Sequence, residues 1–202
     1  MPRASRLLPL LTVSALLACA TPAAAHGLRF TKCGDAGAEC ATLRAPEDYD
    51  HPRSGTFDVH VARVPATDPA KRVGSLFINF GGPGAPMAIY LEVYGPRLFP
   101  ELNERFDLIG MDPRGTGETE GALDCRVNQE EQGIYSQPFA TPLDVDPGAL
   151  IAKDRRYVQR CLALNRRDVL EHASTANVAR DMDLLREQLG ERQLNYLGFS
   201  YG

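Results

Sequence analysis

The sequence predicts an α/β fold with a mostly parallel sheet and flanking helices, and three observations lead there. Residues 73–80 and 106–111 are nearly continuous in apolar side chains, the pattern of strands covered on both faces. Each runs into a glycine-bearing loop, Gly81-Gly82-Pro83-Gly84 after the first and Asp112-Pro113-Arg114-Gly115-Thr116-Gly117 after the second. A third short run, residues 194–197, ends in Gly198-Phe199-Ser200-Tyr201-Gly202, and helical periodicity fills the stretch before it. Strands that alternate with helices in this way pair in parallel.

Taken in order, residues 1–25 have the pattern of a signal peptide. Arg3 and Arg6 precede an apolar core over residues 7–18, and Ala23-Ala24-Ala25 forms a small-residue cleavage site. The mature chain would then be a single domain over residues 26–202. Leu16-Leu17-Ala18-Cys19 also fits a lipobox, in which Cys19 would be the lipidated first residue. Plain export after Ala25 is the preferred expectation, and both place the protein outside the cell or in its envelope.

Residues 28–32 and 56–64 read as the first strands. In the second, Phe57, Val59 and Val61 alternate with Asp58, His60 and Ala62, the period of a half-buried strand. His60 falls on its polar face and is expected to be solvated. His51 lies in a proline-bounded loop, Ala45 to Pro52, and is expected to be exposed. Residues 87–94 form a short helix stopped by Gly95-Pro96. Asp112 and Arg114 are expected to fix their loop by charge-assisted hydrogen bonds.

After a loose segment to about residue 145, Asp146-Pro147 reads as an N-cap with proline in the first turn. The helix that follows would turn Leu150, Ile151, Val158, Cys161 and Leu162 toward the core. Another helix begins at Ser174 or Thr175, buries Val178, Met182 and Leu185, and stops at Gly190. Asp181 and Asp183 on it are expected to face solvent or pair with Arg180 and Arg186.

Composition narrows the functional classes. The net charge of −4 over 202 residues leaves no basic footprint for nucleic acid, and no apolar run is long enough to span a membrane as a helix. Export leaves Cys33, Cys40, Cys125 and Cys161, an even set in an oxidising compartment. Three pairings are possible; proximity across a Gly/Ala-rich loop favours Cys33–Cys40, leaving Cys125–Cys161. The spacing lacks the C-x-x-C pairs of structural zinc, and no metal or cofactor is expected.

The last pentapeptide carries the chemistry. A serine at the tip of a sharp strand-to-helix turn is held in a strained conformation, and glycines two residues either side let strand and helix approach. The N–H after the serine then faces the place where an oxyanion would develop. A glycine cluster at the carboxyl end of a buried strand likewise lets backbone N–H groups approach a ligand. The two motifs end separate buried strands and would share one rim of the sheet.

On these residues the sequence resembles the exported α/β-hydrolase peptidases of the tripeptidyl aminopeptidase and proline iminopeptidase group, from about Cys33 onward. The blocks that carry the resemblance are Glu39-Cys40-Ala41-Thr42-Leu43, Pro46-Glu47-Asp48-Tyr49 with His51-Pro52, Asn79-Phe80-Gly81-Gly82-Pro83-Gly84, Asp112 to Gly117, and Gly198-Phe199-Ser200-Tyr201-Gly202. Ala85-Pro86 departs from the glycine and serine that many relatives carry there. The resemblance implies that Ser200 is the nucleophile and that Gly82 and Tyr201 supply backbone donors to the oxyanion.

In such folds an acid and then a histidine follow the serine. His26, His51, His60 and His172 all precede Ser200, so none is assigned as the base. The stretch therefore reads as the amino-terminal half of an α/β-hydrolase fold, with lid and carboxyl-terminal half absent, and as inactive by itself. The expected function is that of an exported serine aminopeptidase acting on peptides. The alternatives are an esterase of the same fold acting on small acyl substrates, a non-catalytic relic, and one half of a split protein that pairs with a separate carboxyl-terminal half.

Overall fold

The computed structural model describes residues 27–126 and 147–202. The expected signal segment with Cys19, His26, the side chain of Leu150 and the Asp146 cap lie outside the described residues. Six strands form one sheet: β1 (Thr31–Cys33), β2 (Ala38–Pro46), β3 (Thr56–Val64), β4 (Gly74–Asn79), β5 (Phe106–Met111) and β6 (Asn195–Gly198). Their spatial order is β1-β2-β3-β5-β4-β6. The expected parallel pairing is carried by β5, β4 and β6, which hold the two buried apolar strands and the strand before Ser200. The other pairings, β1 with β2, β2 with β3 and β3 with β5, are antiparallel, so the sheet is mixed.

β2 went unread in the sequence because its inward positions are mostly alanine. Ala41, Leu43 and Ala45 are buried in alternation with exposed Thr42 and Arg44 in a two-residue period, but small side chains give little hydropathy contrast. Its register against β3, with Leu43 opposite Val59 and Ala45 opposite Phe57, makes it the platform of one core layer.

Alternation along the strands sorts the core into two faces. Phe57, Val59, Val61, Phe77 and Ile109 gather on one face with Val169 and Leu185. These come from α4 (Arg167–His172) and α5 (Thr175–Gln188). Ala62, Val64, Leu76, Ile78 and Leu108 gather on the other with Ala88 and Leu91 of α1 (Ala88–Tyr94). A short α2 (Pro100–Asn103) leads into β5. Each fully buried side chain of this kind contributes about 1.5–3 kcal/mol of transfer free energy. Ser174 caps α5 by accepting a hydrogen bond from the Asn177 N–H at 3.2 Å, and Val178, Met182 and Leu185 pack inward as expected.

Three expectations need correction. The helix α3 (Pro147–Leu164) forms, but Ile151, Val158 and Leu162 are 53%, 51% and 60% exposed, and of the described side chains assigned to the core only Cys161 is buried. Periodicity revealed an apolar stripe without revealing what covers it. Asp181 is not solvent-facing: it is fully buried and pairs with Arg114, Nε to Oδ2 at 2.6 Å and Nη2 to Oδ1 at 2.7 Å. His60 is half-buried, its ring 2.9 Å from Glu92 of α1, because α1 covers that face of β3.

Arg114 fixes its loop as expected, donating also to the carbonyls of Glu47 and Pro46. The Tyr49 hydroxyl donates to Asp181 Oδ1 at 2.7 Å. Burial, and then the adjacent carboxylate, push its pKa well above the ordinary phenol range. Asp183 pairs with Arg186 at 2.6 Å on the exposed side of α5.

Both expected disulfides are present, Cys33–Cys40 with a Cα separation of 5.6 Å and Cys125–Cys161 with 4.5 Å. The second anchors α3 to the loop after β5. Replacing Cys125 and Cys161 by serine is expected to lower unfolding free energy by roughly 2–4 kcal/mol, from loop closure alone. Urea unfolding of the non-reduced proteins checks this, and an unchanged midpoint would show that the crosslink restrains nothing.

Candidate active site

Two loops meet at the carboxyl ends of β4 and β6. Asn79 stands opposite Gly198 in the parallel register, and Asn79 ties both loops together. Its carbonyl accepts from the Phe199 N–H at 2.9 Å, and its side-chain oxygen accepts from the Gly81 N–H at 2.8 Å. Sequence reasoning named this asparagine at the head of the glycine block but gave a role only to the glycines. A polar residue closing a strand before Gly-Gly is the signal that could have found it.

Ser200 has φ = 54°, a left-handed conformation that costs a residue with a β-carbon on the order of 1 kcal/mol. The turn is closed by the Gly202 N–H, which donates to the Phe199 carbonyl at 2.8 Å. Close approach accounts for the flanking glycines. A Cβ on Gly198 would lie 2.6 Å from the Gly202 carbonyl carbon. A Cβ on Gly81 would lie 2.7 Å from both the Phe199 carbonyl oxygen and the Tyr201 nitrogen, and 3.0 Å from Ser200 Cβ. The Ser200 turn therefore rests on the glycine loop, and the structure brings Ser200, Tyr201 and Gly81-Gly82 together.

The backbone N–H groups of Gly82 and Tyr201 have no partner among the described residues, and both residues are exposed. Free backbone donors beside an exposed serine hydroxyl are the elements an acyl-transfer site needs. The glycine loop is held from behind. The Phe80 N–H donates to Met87 Sδ at 3.1 Å. The buried Asp112 carboxylate accepts from the N–H groups of Met87 at 2.6 Å, Ala88 at 2.8 Å and Glu118 at 2.9 Å. Asp112 thus serves the first turn of α1, where negative charge is favoured, and binds its own loop to the glycine loop.

An apolar wall flanks the turn. The Phe80 and Phe199 rings stack at 5.6 Å, and Phe99 lies 6.1 Å from each. Tyr90 packs against Phe80 at 4.7 Å. The wall was not read in the sequence, because its aromatics come from four separate segments: the end of β4, α1, the start of α2 and the end of β6.

No described histidine hydrogen-bonds to Ser200. His51 is exposed and engaged with Asp48 at 2.8 Å, which raises the pKa of His51 and lowers that of Asp48. His60 is engaged with Glu92, and the carbonyl of His172 accepts from Asn177 Nδ2 at 3.0 Å. Cys33–Cys40 sits at the β1 side of the sheet, and β6 with Ser200 closes the opposite side of the described strands. No helix among the described residues is long and apolar enough to cross a membrane.

A family model described as alpha/beta hydrolase fold matches residues 75–202. Among curated proteins, serine protease Hip1 of Mycobacterium tuberculosis is 35% identical over 167 residues, covering 82% of this chain and 32% of that protein. Carboxylesterase B of the same species is 39% identical over 154 residues, covering 74% of this chain and 29% of its own length. Tripeptidyl aminopeptidase of Streptomyces lividans is 32% identical over 170 residues, covering 81% of this chain and 31% of its own. The chain spans about a third of the length of the curated relatives it matches.

Proposed function

Because the chain belongs to the alpha/beta hydrolase fold family, we propose that it carries the nucleophile and oxyanion donors of an exported serine peptidase that acts on the amino-terminal end of peptides. Ser200 Oγ would attack the scissile carbonyl carbon and lose its proton to a base. The oxyanion would be met by the N–H groups of Gly82 and Tyr201, and departure of the amine would leave an acyl-enzyme for water to hydrolyse. The observation that carries the reading is the left-handed Ser200 at a parallel strand end, packed on Gly81 beside two N–H groups without a partner among the described residues. The peptidase direction is supported by similarity to a serine protease and a tripeptidyl aminopeptidase. Export is supported by the signal-like pattern of residues 1–25 and by two disulfides. An esterase of the same fold is the second reading, favoured by the similarity to carboxylesterase B.

A serine hydroxyl needs a base at hydrogen-bond distance to act at neutral pH, and no described histidine occupies that place. The 202 residues produced by themselves are therefore proposed to be inactive, with acid and base supplied from outside them. A fluorophosphonate probe is expected to label Ser200 in the complete protein and to leave the 202-residue polypeptide unlabelled. Labelling of another residue in the complete protein would remove Ser200 from the mechanism. Labelling of the short polypeptide would show that the base lies within it, and a complete protein that resists the probe would favour a non-catalytic relic.

A further inference from the structure

We infer that Cys33, Cys40, His60 and Glu92 form a binding site for a zinc-class divalent cation when the Cys33–Cys40 disulfide is reduced. The three elements that face one another below α1 each supply a ligand. One ligand atom each from Cys40, His60 and Glu92 lie within 4.8 Å of one another, and all three residues are half-buried. Cys33 contributes the second sulfur of the same disulfide. Two thiolates, an imidazole and a carboxylate are a set that zinc takes in tetrahedral geometry. Its ligand atoms then stand about 3.5 Å apart, so Cys40, His60 and Glu92 need to close in by only about an ångström, while the Cys33 sulfur, released from Cys40 on reduction, moves away from it to take the fourth position.

Cys40, His60 and Glu92 are placed by contacts other than the disulfide. Cys40 is paired with Ala62 of β3 and with Thr31 of β1. The His60 N–H donates to Thr119 Oγ1 at 3.0 Å, and the His60 carbonyl accepts from the Asp112 N–H at 3.0 Å. Glu92 belongs to α1, whose backbone packs against the hairpin loop so closely that a Cβ on Gly34 would lie 2.5 Å from the Glu92 carbonyl oxygen. The 2.9 Å contact between His60 and Glu92 already orients imidazole and carboxylate toward each other. Sequence spacing conceals the group, because its members come from β1, β2, β3 and α1 rather than from a C-x-x-C pair.

The chemistry balances with a dithiol reductant. Two electrons and two protons pass from the dithiol to the protein disulfide, giving two protein thiols and an oxidised dithiol. Binding of the cation then releases the two thiol protons, since the thiolates are the ligands. In the oxidised protein the sulfurs are bonded to each other and the site is closed.

The test uses the complete protein carrying Cys125→Ser and Cys161→Ser, so that of the two described disulfides only Cys33–Cys40 remains. Co2+ alone, which reports thiolate ligation by charge-transfer absorption, is added before and after reduction with a non-chelating phosphine, and Zn2+ alone is followed by equilibrium dialysis. One equivalent is expected to bind the reduced form with a thiolate band, and none the oxidised form. Glu92→Gln and His60→Ala are each expected to weaken binding by at least about tenfold. Several outcomes overturn the site: no band on reduction, a fold lost on reduction and not restored by the metal, or affinities unchanged in both variants.

Discussion

Replacing Ser200 by alanine in the complete protein is expected to lower kcat on peptide substrates by on the order of a millionfold, the loss that follows removal of the serine from an acyl-transfer triad. What remains should be the modest acceleration that oxyanion donors and binding give without a nucleophile. The change deletes one exposed oxygen with no partner among the described residues, so the urea midpoint should stay where it was. Steady-state kinetics with amino-terminally free peptides and with a small acyl ester read the result on both substrate classes. A variant that keeps wild-type turnover on either class would exclude Ser200 as the nucleophile for that class.

Asp181→Ala is expected to cost about 3–5 kcal/mol of unfolding free energy, the penalty for leaving a buried partner charge uncompensated. The Arg114 and Asp181 side chains are both fully excluded from solvent. Removal of the carboxylate strands the guanidinium and takes away the acceptor of the Tyr49 hydroxyl. A loss of that size is a large fraction of the about 5–15 kcal/mol by which domains are stable. Asp183→Ala, which breaks an exposed pair on the same helix, is the control and should cost about 0–1 kcal/mol. Equal urea midpoints for the two variants would show that burial of the Arg114–Asp181 pair does not set its contribution.

What the sequence revealed followed from local signals. β4 and β5 were legible because their apolar runs need cover on both faces, and the Ser200 turn because close approach demands glycines at fixed offsets. The two disulfides followed from the parity of the cysteines and the nearness of Cys33 to Cys40. What stayed hidden depends on contacts between segments distant in sequence. Asp181 meets Arg114 across 67 positions, and nothing on a polar helix face announces a partner so far away. His60 looked solvated because its strand alternates cleanly, yet α1 covers that face. The apolar side of α3 was assigned to the core by its period, and a period reports amphipathicity without naming the surface it meets.

The position of β6 bears on the order in which the molecule assembles. β2 and β3 form an antiparallel ladder within one hairpin, and β4 pairs with β5 across the segment that holds α1 and α2. β6 instead joins β4 only after the chain has passed through β5, α3, α4 and α5, and Asn195 Nδ2 reaches the Ser75 carbonyl at 3.0 Å across 120 positions. Closing so long an excursion costs chain entropy that its own pairing returns only once the helices have docked. During synthesis the hairpins and the glycine loop emerge first, and domains fold as their segments become available. The turn that bears Ser200 can therefore be set on Gly81 only after β4, β5 and the helices between β5 and β6 have taken their places.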